Sequence, residues 1–305
     1  MTSENRAVLV IGAASQIGYH LLPRLVDDTW DVVAVSRAPA PADPRGATWR
    51  RLDLSDREAL ASTKMRLGGV ISLAPIRILP ALVDSLADLG VTRIIAFSST
   101  SRYTKATSAD PKERDLAATL GRSEEALAEV SNRRGIAWSV FRPTLVYSPG
   151  LDRNVSEIAR FIQRLGFFPI VGDGRGKRQP VHAADLATAC VAAIKESRTH
   201  NHSYNLSGGE TITYREMVQR IFRGLGRRPR IVRVPPGLFK VAVSAARVLP
   251  RFRELSGELV TRMNTDMCFD HGEASRDFGY CPRKFDFRLD GEFASAGVPR
   301  SGFAR

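Results

Sequence analysis

An alternation in the first half of the chain constrains the fold more than any other feature. Short apolar runs occur at 7–12 (AVLVIG), 31–36 (DVVAVS), 48–54 (TWRRLDL), 69–75 (GVISLAP), 93–99 (RIIAFSS) and 137–143 (AWSVFRP). Between them, apolar residues return every three or four positions, as in QIGYHLLPRLVDD (16–28) and RILPALVDSLADLG (77–90). Continuous apolar runs suit strands covered on both faces, and the helix-period stretches suit the crossovers between parallel strands. The expectation is an α/β fold with a doubly wound parallel sheet. After about residue 150 the pattern becomes irregular: a Gly-rich turn at 172–177, a helix-like DLATACVAAIKES, a short strand SYNLSG, a helix-like YREMVQRIFRGLG and a strand RIVRVP. The boundaries expected are a sheet unit over 1–150, its sheet completed by parts of 178–207, and a smaller lobe over 151–305.

Composition narrows the partners. The 45 Lys and Arg against 32 Asp and Glu leave a formal charge of +13, which favours a small anionic partner through the long-range field. The basic residues are spread along the chain, thickening only at 220–253, and aromatics are not interleaved with them, so no specific nucleic-acid binding is expected. The apolar segment 236–255, edged by Lys and Arg, reads as part of the small lobe, with an anionic membrane surface as the lesser alternative. Three scattered cysteines, Cys190, Cys268 and Cys281, suit neither a disulfide framework nor a metal site, and no metal is expected. No run reaches the ~18 apolar residues of a membrane span and no signal-like start is seen, so the expected location is cytoplasmic.

The first strand leads directly into GAASQIG, Gly12 to Gly18, and then a helix. Such a turn aims backbone N–H groups and the helix dipole at a pyrophosphate, which makes Gly12, Ser15, Gln16, Ile17 and Gly18 cofactor-contacting candidates. Ser15 stands at the middle position, where its hydroxyl would either bond the phosphates or crowd them. The second strand ends at Ser36-Arg37, where a carboxylate would select an unphosphorylated ribose. Arg beside a hydroxyl attracts a 2′-phosphate instead, so NADP(H) is favoured over NAD(H).

These pieces resemble the extended short-chain dehydrogenases/reductases, the NAD(P)-dependent epimerase/dehydratase group, over about 7–290. Further matching segments are "SST…Y" at 98–103, "FRPTLVYSPG" at 141–150, "GDGRGKRQPVHAADLATA" at 172–189, "YNLSGGETITYREM" at 204–217 and "FGYCPRKF" at 278–285. The resemblance implies a dinucleotide-binding Rossmann domain with a substrate lobe, and a nucleotide-sugar or similar phosphorylated substrate. It adds Asp53 and Leu54 at the adenine, Leu73, Ala74, Pro75 and Pro143 beside the cofactor, and Thr144 and Arg178 at the substrate, Arg178 on its diphosphate. It reads His182 and Asp185 as closing the substrate lobe, a structural role preferred here over a catalytic base. It also implies a homodimer formed through the helices that include 115–134.

The family's acid–base pair is a Tyr with a Lys four residues later on one helix face, where the ammonium stabilises a phenolate. The corresponding helix places Leu120 and Glu124 at those two positions. A leucine has no proton to give, and a carboxylate opposes phenolate formation. Tyr280 with Lys284 has the right spacing, but Pro282 intervenes and the pair is rejected. Ser99 stands at the family's Ser/Thr position, and Tyr103 matches a family Tyr lining the substrate pocket: it is either the substitute acid, with Lys105 as a nearby cation, or a substrate contact alone. The expectation is therefore an oxidoreductase or epimerase with non-standard acid–base residues. Its competitor is a catalytically silent NADP(H)-binding sensor or assembly protein.

Overall fold

AVLVI of β1 (Ala7–Ile11) is buried from Val8 onward, as expected of a strand with neighbours on both edges and helices on both faces. The computed structural model describes residues 6–54, 60, 66–235, 237 and 263–288. The Cα trace divides into two units, one comprising 1–144, 181–209 and 269–283, the other 145–180, 210–268 and 284–305.

In chain order the first unit has β1, α1 (Gln16–Asp27), β2 (Asp31–Ser36), β3 (Thr48–Arg51), β4 (Gly69–Ser72), α2 (Val83–Asp88) and β5 (Arg93–Phe97). There follow α3 (Ser101–Thr104), α4 (Pro111–Arg133) and β6 (Ala137–Pro143). The second unit supplies β7 (Val146–Tyr147), α5 (Val155–Leu165), β8 (Phe168–Val171) and β9 (Lys177–Arg178). The chain then returns to the first unit for β10 (Val181–His182), α6 (Ala183–Lys195) and β11 (His202–Leu206). It goes back to the second for β12 (Ile212–Thr213), α7 (Tyr214–Gly224) and β13 (Ile231–Val234), and α8 (Gly272–Phe278) closes in the first.

The seven strands of the first unit run in the order β11-β6-β5-β4-β1-β2-β3, with every pair parallel. The chain winds outward from β1 through β2 to β3, then restarts on the other side of β1 at β4. That reversal makes the carboxyl ends of β1 and β4 a topological switch point, the crevice where open α/β sheets take ligands. One face is filled by Leu9, Ile11, Val33, Val70, Ile94 and Val140 with Leu82, Leu86 and Leu127 from the helices. At the opposite end of the sheet Arg93 is 2% exposed, and its Nη2 donates to Ser139 Oγ (2.7 Å), Thr199 Oγ1 (2.6 Å) and the Ala193 carbonyl in the last turn of α6 (3.2 Å). Burial lowers its pKa to about 10. Neutral acceptors and the negative end of the helix dipole hold this cation without a carboxylate.

Two expected elements are shorter. Residues 77–90 do not form one helix: two 3-10 turns at Ile76–Ile78 and Pro80–Leu82 precede α2. Pro80, which has no N–H and clashes with the preceding turn, starts the second of them, the position a helical turn tolerates for proline. The strand expected over 48–54 ends at Arg51; three of the four residues of β3 are exposed at the sheet edge.

In the second unit β8 pairs in parallel with β13, and β9 pairs antiparallel with β12. The amphipathic helices α5 and α7 bury Ile162, Met217, Ile221 and Phe222 against Tyr147, Phe285 and Phe287. The segment 236–255 lies outside the described residues, apart from residue 237.

Candidate cofactor and active site

At the switch point the backbone turns on Gly12, whose φ is +75°, a conformation costly for any residue with a Cβ. A Cβ there would also lie 3.0 Å from the Ala74 nitrogen and 3.1 Å from the Leu73 carbonyl carbon. The end of β1 is therefore pressed against the residues that follow β4, and Gly12 N and Ala13 N both donate to the Val35 carbonyl on β2 (3.0 and 3.1 Å). Gly18 is in closer contact still, since a Cβ would fall 2.1 Å from the Ala13 oxygen. The two glycines let α1 begin immediately above the strand it follows.

Ser15 is the N-cap of α1, and its Oγ accepts from Gly18 N at 3.2 Å. Its hydroxyl is thus engaged with the helix end rather than crowding the space in front of it. Next to it, the Gln16 Oε1 is buried and has no hydrogen-bond partner among the described residues. That oxygen is an acceptor and leaves the anion-binding part of the turn to the helix N–H groups that lack intrahelical partners. This turn fits the pyrophosphate of a dinucleotide.

At the end of β2, Ser36 Oγ accepts from Ala38 N (2.9 Å), which fixes the turn that carries the exposed Arg37. No described residue pairs with the Arg37 guanidinium. Arg51, opposite Ser36 in the β2–β3 register, donates from Nε to the Arg37 carbonyl at 3.1 Å. Two guanidinium-bearing residues thus flank this strand end. Leu54 is buried and Asp53 lies beside it.

Ser99 and Tyr103 follow β5. Ser99 Oγ accepts from Ser101 N at 3.1 Å, an arrangement that keeps its O–H proton available for an outside acceptor. The Pro143 carbonyl at the end of β6 accepts from Thr100 N (3.2 Å) and Thr100 Oγ1 (3.1 Å), which ties the two strand ends together. Thr144 N donates to the Leu206 carbonyl of β11 at 3.1 Å. Tyr103 is 43% exposed, with its ring 5.7 Å from that of Phe269. Lys105 Nζ pairs with Glu113 Oε1 at 3.3 Å.

The helix bearing Leu120 and Glu124 is α4, started by the Asp110 N-cap and Pro111. Leu120 packs against the core of the first unit. Glu124 is only 4% exposed, one turn before the fully buried Leu127. It accepts from Ser98 Oγ, from Arg102 Nη1, and from Arg142 Nε and Nη2 at 2.9 and 2.6 Å. Arg142 shares its face of β6 with the core residue Val140, which is why it meets α4. The lone carboxylate anticipated from sequence is therefore surrounded by two guanidiniums, one of which, Arg102, also meets the exposed Glu125 carboxylate at 3.4 Å. Arg102 and Arg142 were missed as members of this site, although an Arg inside the apolar run AWSVFRP needs acceptors when buried.

His182 is the N-cap of α6, with Nδ1 accepting from Ala184 N at 3.1 Å, and its ring stands 5.4 Å from that of His20 on α1. Burial, with Arg283 and Arg24 nearby, lowers the pKa of His182 to about 4. His20 is lowered to about 4 by burial and the neighbouring positive groups. Both rings are neutral at pH 7. Asp185 accepts from Arg283 Nε at 2.8 Å and Arg283 N at 3.0 Å. Tyr280, rejected above as an acid, is buried and donates to the Ser207 carbonyl at 2.9 Å.

In the second unit Arg178 is 6% exposed, and its Nη1 donates to the carbonyls of Lys177 and Thr265, both at 2.7 Å. The Tyr214 ring centroid lies 5.7 Å from its Cζ, and burial lowers its pKa. Among the described residues no group of three or more His, Cys, Asp or Glu is placed to hold a metal, and no helix is long and apolar enough to cross a membrane.

The model of the NAD dependent epimerase/dehydratase family matches residues 8–207. The UDP-glucose 4-epimerase of Vibrio cholerae is 23% identical over 172 residues, 56% of this chain and 49% of its own length. The chain spans about half the length, or less, of the curated relatives it matches. Among solved structures, UDP-glucose 4-epimerase from Thermotoga maritima with UDP-glucose superposes with a TM-score of 0.69 at 20% identity, covering 90% of this chain and 93% of that one. MoeE5 in complex with UDP-glucuronic acid and NAD gives 0.69 at 22% identity, covering 92% and 94%. At these identities the superpositions establish the shared fold. The family model covers about two thirds of the chain and includes both the Gly12–Gly18 turn and the strand ends at 98–103 and 141–144, so the chain belongs to the NAD dependent epimerase/dehydratase family.

Proposed function

We propose that this protein binds NADP(H) across the β1/β4 crevice and acts as a reductase or epimerase on a nucleotide-linked sugar or a similar phosphorylated molecule. The observation that carries the reading is the turn Gly12–Gly18, closed onto the backbone of Leu73 and Ala74 and opening directly into the N-terminus of α1. Gly12, Ser15, Gln16, Ile17 and Gly18 would hold the pyrophosphate, with Leu73, Ala74, Pro75 and Pro143 lining the path beyond it and Asp53 and Leu54 at the adenine. Ser36 and the guanidiniums of Arg37 and Arg51 support the preference for a 2′-phosphate, because a flexible pair of cations at an exposed strand end attracts a dianion.

A bound nicotinamide would donate or accept the hydride, and the chain's own task is to position a carbonyl or alcohol and manage its proton. Ser99 Oγ, oriented by Ser101 N, would donate to the substrate oxygen. Tyr103 would supply or receive the proton. Thr144 and Arg178 would meet the substrate, Arg178 through its diphosphate. The named relatives act on or hold UDP-sugars, which is the substrate class favoured here. A cytoplasmic homodimer paired through α4 belongs to the same reading.

Titration with NADPH and NADH, followed by nicotinamide fluorescence, tests the cofactor half. Tighter NADPH binding that inverts in Arg37→Asp is expected, and no binding of either nucleotide removes the proposal. A second reading, a silent NADP(H) sensor or assembly protein, is favoured by one observation: Leu120 and a salt-bridged Glu124 occupy the positions of the acid–base pair. Binding without NADPH consumption across a panel of keto-sugar nucleotides would favour it.

A further inference from the structure

The cluster around Glu124 gathers two guanidiniums, and of these Arg102 also meets a second carboxylate, Glu125, at 3.4 Å. A single buried carboxylate is balanced by one guanidinium, yet Arg142 and Arg102 both bond its Oε2, and Ser98 Oγ bonds Oε1. A bidentate grip through Nε and Nη2 leaves Arg142 Nη1 without a partner among the described residues. Arg142 is the next-to-last residue of β6, so its Cα lies on the carboxyl edge of the sheet that also holds Gly12, Ser36 and Ser99. β6 stands three strand positions from β1, on the side away from β2, roughly 14 Å at ~4.8 Å per strand. A dinucleotide with its pyrophosphate at Gly12 and its adenosine end at Ser36 and Arg37 must send its other half in that direction. The Arg142 Cζ is also 5.6 Å from the Tyr103 ring centroid, which places the cation beside the proposed proton donor.

We propose that the Arg142 guanidinium, clamped by the Glu124 carboxylate, is the cation this site presents to the nicotinamide riboside half of the bound dinucleotide. The inference rests on the dinucleotide reading above. Arg142 donates to the riboside hydroxyls through N–H groups that Glu124 does not occupy. Glu124 is a positioning residue: it fixes the guanidinium plane through Arg142 Nε and Nη2. Arg142 thereby supplies a cation at this place, although a carboxylate sits at the helix position where the family carries a lysine.

The test compares NADPH with adenosine 2′,5′-bisphosphate, which lacks the nicotinamide riboside. Arg142→Leu is expected to weaken NADPH by at least about tenfold, the scale of one charge-assisted hydrogen bond, while the bisphosphate binds as to the wild type. Arg142→Lys should recover part of the loss. Glu124→Gln should weaken NADPH selectively, and adding it to Arg142→Leu should produce no further loss, because it acts through the arginine. Unchanged NADPH affinity in Arg142→Leu, or an equal loss for both ligands, would overturn the assignment. If Arg142→Leu does not fold, the wild type decides: the Arg142 Nε–Hε resonance should move on adding NADPH and not on adding the bisphosphate, and a resonance indifferent to NADPH overturns the proposal. A wild-type protein that binds neither ligand removes the dinucleotide reading itself, an outcome distinct from bisphosphate binding without any dependence of NADPH on Arg142.

Discussion

Replacing Glu124 by Leu would strip a nearly buried carboxylate from four donors at once. The stranded groups differ in how they recover. The Arg102 side chain is 27% exposed and can turn to water, whereas the Arg142 side chain is 14% exposed and is left largely desolvated. Breaking a buried ion pair from one side costs roughly 3–5 kcal/mol. Partial resolvation of Arg102 and the apolar packing gained by Leu beside Leu127 put the expected loss near the lower end, about 3 kcal/mol. For a chain of this size, at ~2.1 cal/mol/K of unfolding entropy per residue, that corresponds to a melting point lower by ~5 °C. The double variant Glu124→Leu/Arg142→Leu removes the stranded charge and should recover much of the loss, because a buried ion pair replaced by apolar groups is often neutral. Urea unfolding at pH 7 of the wild type, both single variants and the double variant measures the coupling directly. A single variant within about 0.5 kcal/mol of wild type, or a double variant whose loss is the plain addition of the two, would refute the claim that Glu124 is held by buried charge. Such small values are those of ordinary surface substitutions.

Gly18→Ala should destabilise the first unit by ~1–3 kcal/mol or more and abolish NADPH binding, since the new Cβ would lie 2.1 Å from backbone at Ala13; a thermal-shift assay with and without NADPH checks both. Stability should fall as the pH drops from about 6.5 to 4, because His20 and His182 titrate near 4 in the fold but near ~6.5 when unfolded, so in that interval the unfolded chain binds more protons. Allowing for their partial solvent exposure, each contributes roughly 2 kcal/mol that is present above the unfolded pKa and lost towards 4. His20→Gln with His182→Asn, which retains an N-cap acceptor, should flatten the urea midpoint measured between pH 7 and 4.5. Tyr103→Phe should eliminate turnover of any substrate found while NADPH still binds; unchanged turnover removes Tyr103 from the chemistry.

What could be read from the chain in advance divides along a physical line. The sheet, the switch point and the Gly12–Gly18 turn depend on contacts between residues close in sequence or on patterns repeated strand after strand, and these leave a period that survives in one dimension. Pro80 illustrates the limit of that period: LeuProAlaLeuVal keeps a helical spacing of apolar residues, yet the proline's missing N–H divides the segment into two 3-10 turns and a short helix. Glu124 illustrates a deeper one. Judged by its helix alone it is a negative charge in the wrong place, because its partners Ser98, Arg102 and Arg142 come from the segments after β5 and from β6, 18 to 26 residues away. The sign of an active-site charge belongs to the assembled cluster, and no single position carries it. Arg142 was nonetheless visible as an anomaly, a guanidinium one residue from the end of an otherwise apolar strand. A buried strand cation obliges the fold to supply acceptors, neutral ones for Arg93 and a carboxylate for Arg142, and which kind it receives is set by the elements packed on its face. For Arg142 that partner is Glu124, one turn before the buried Leu127 on α4.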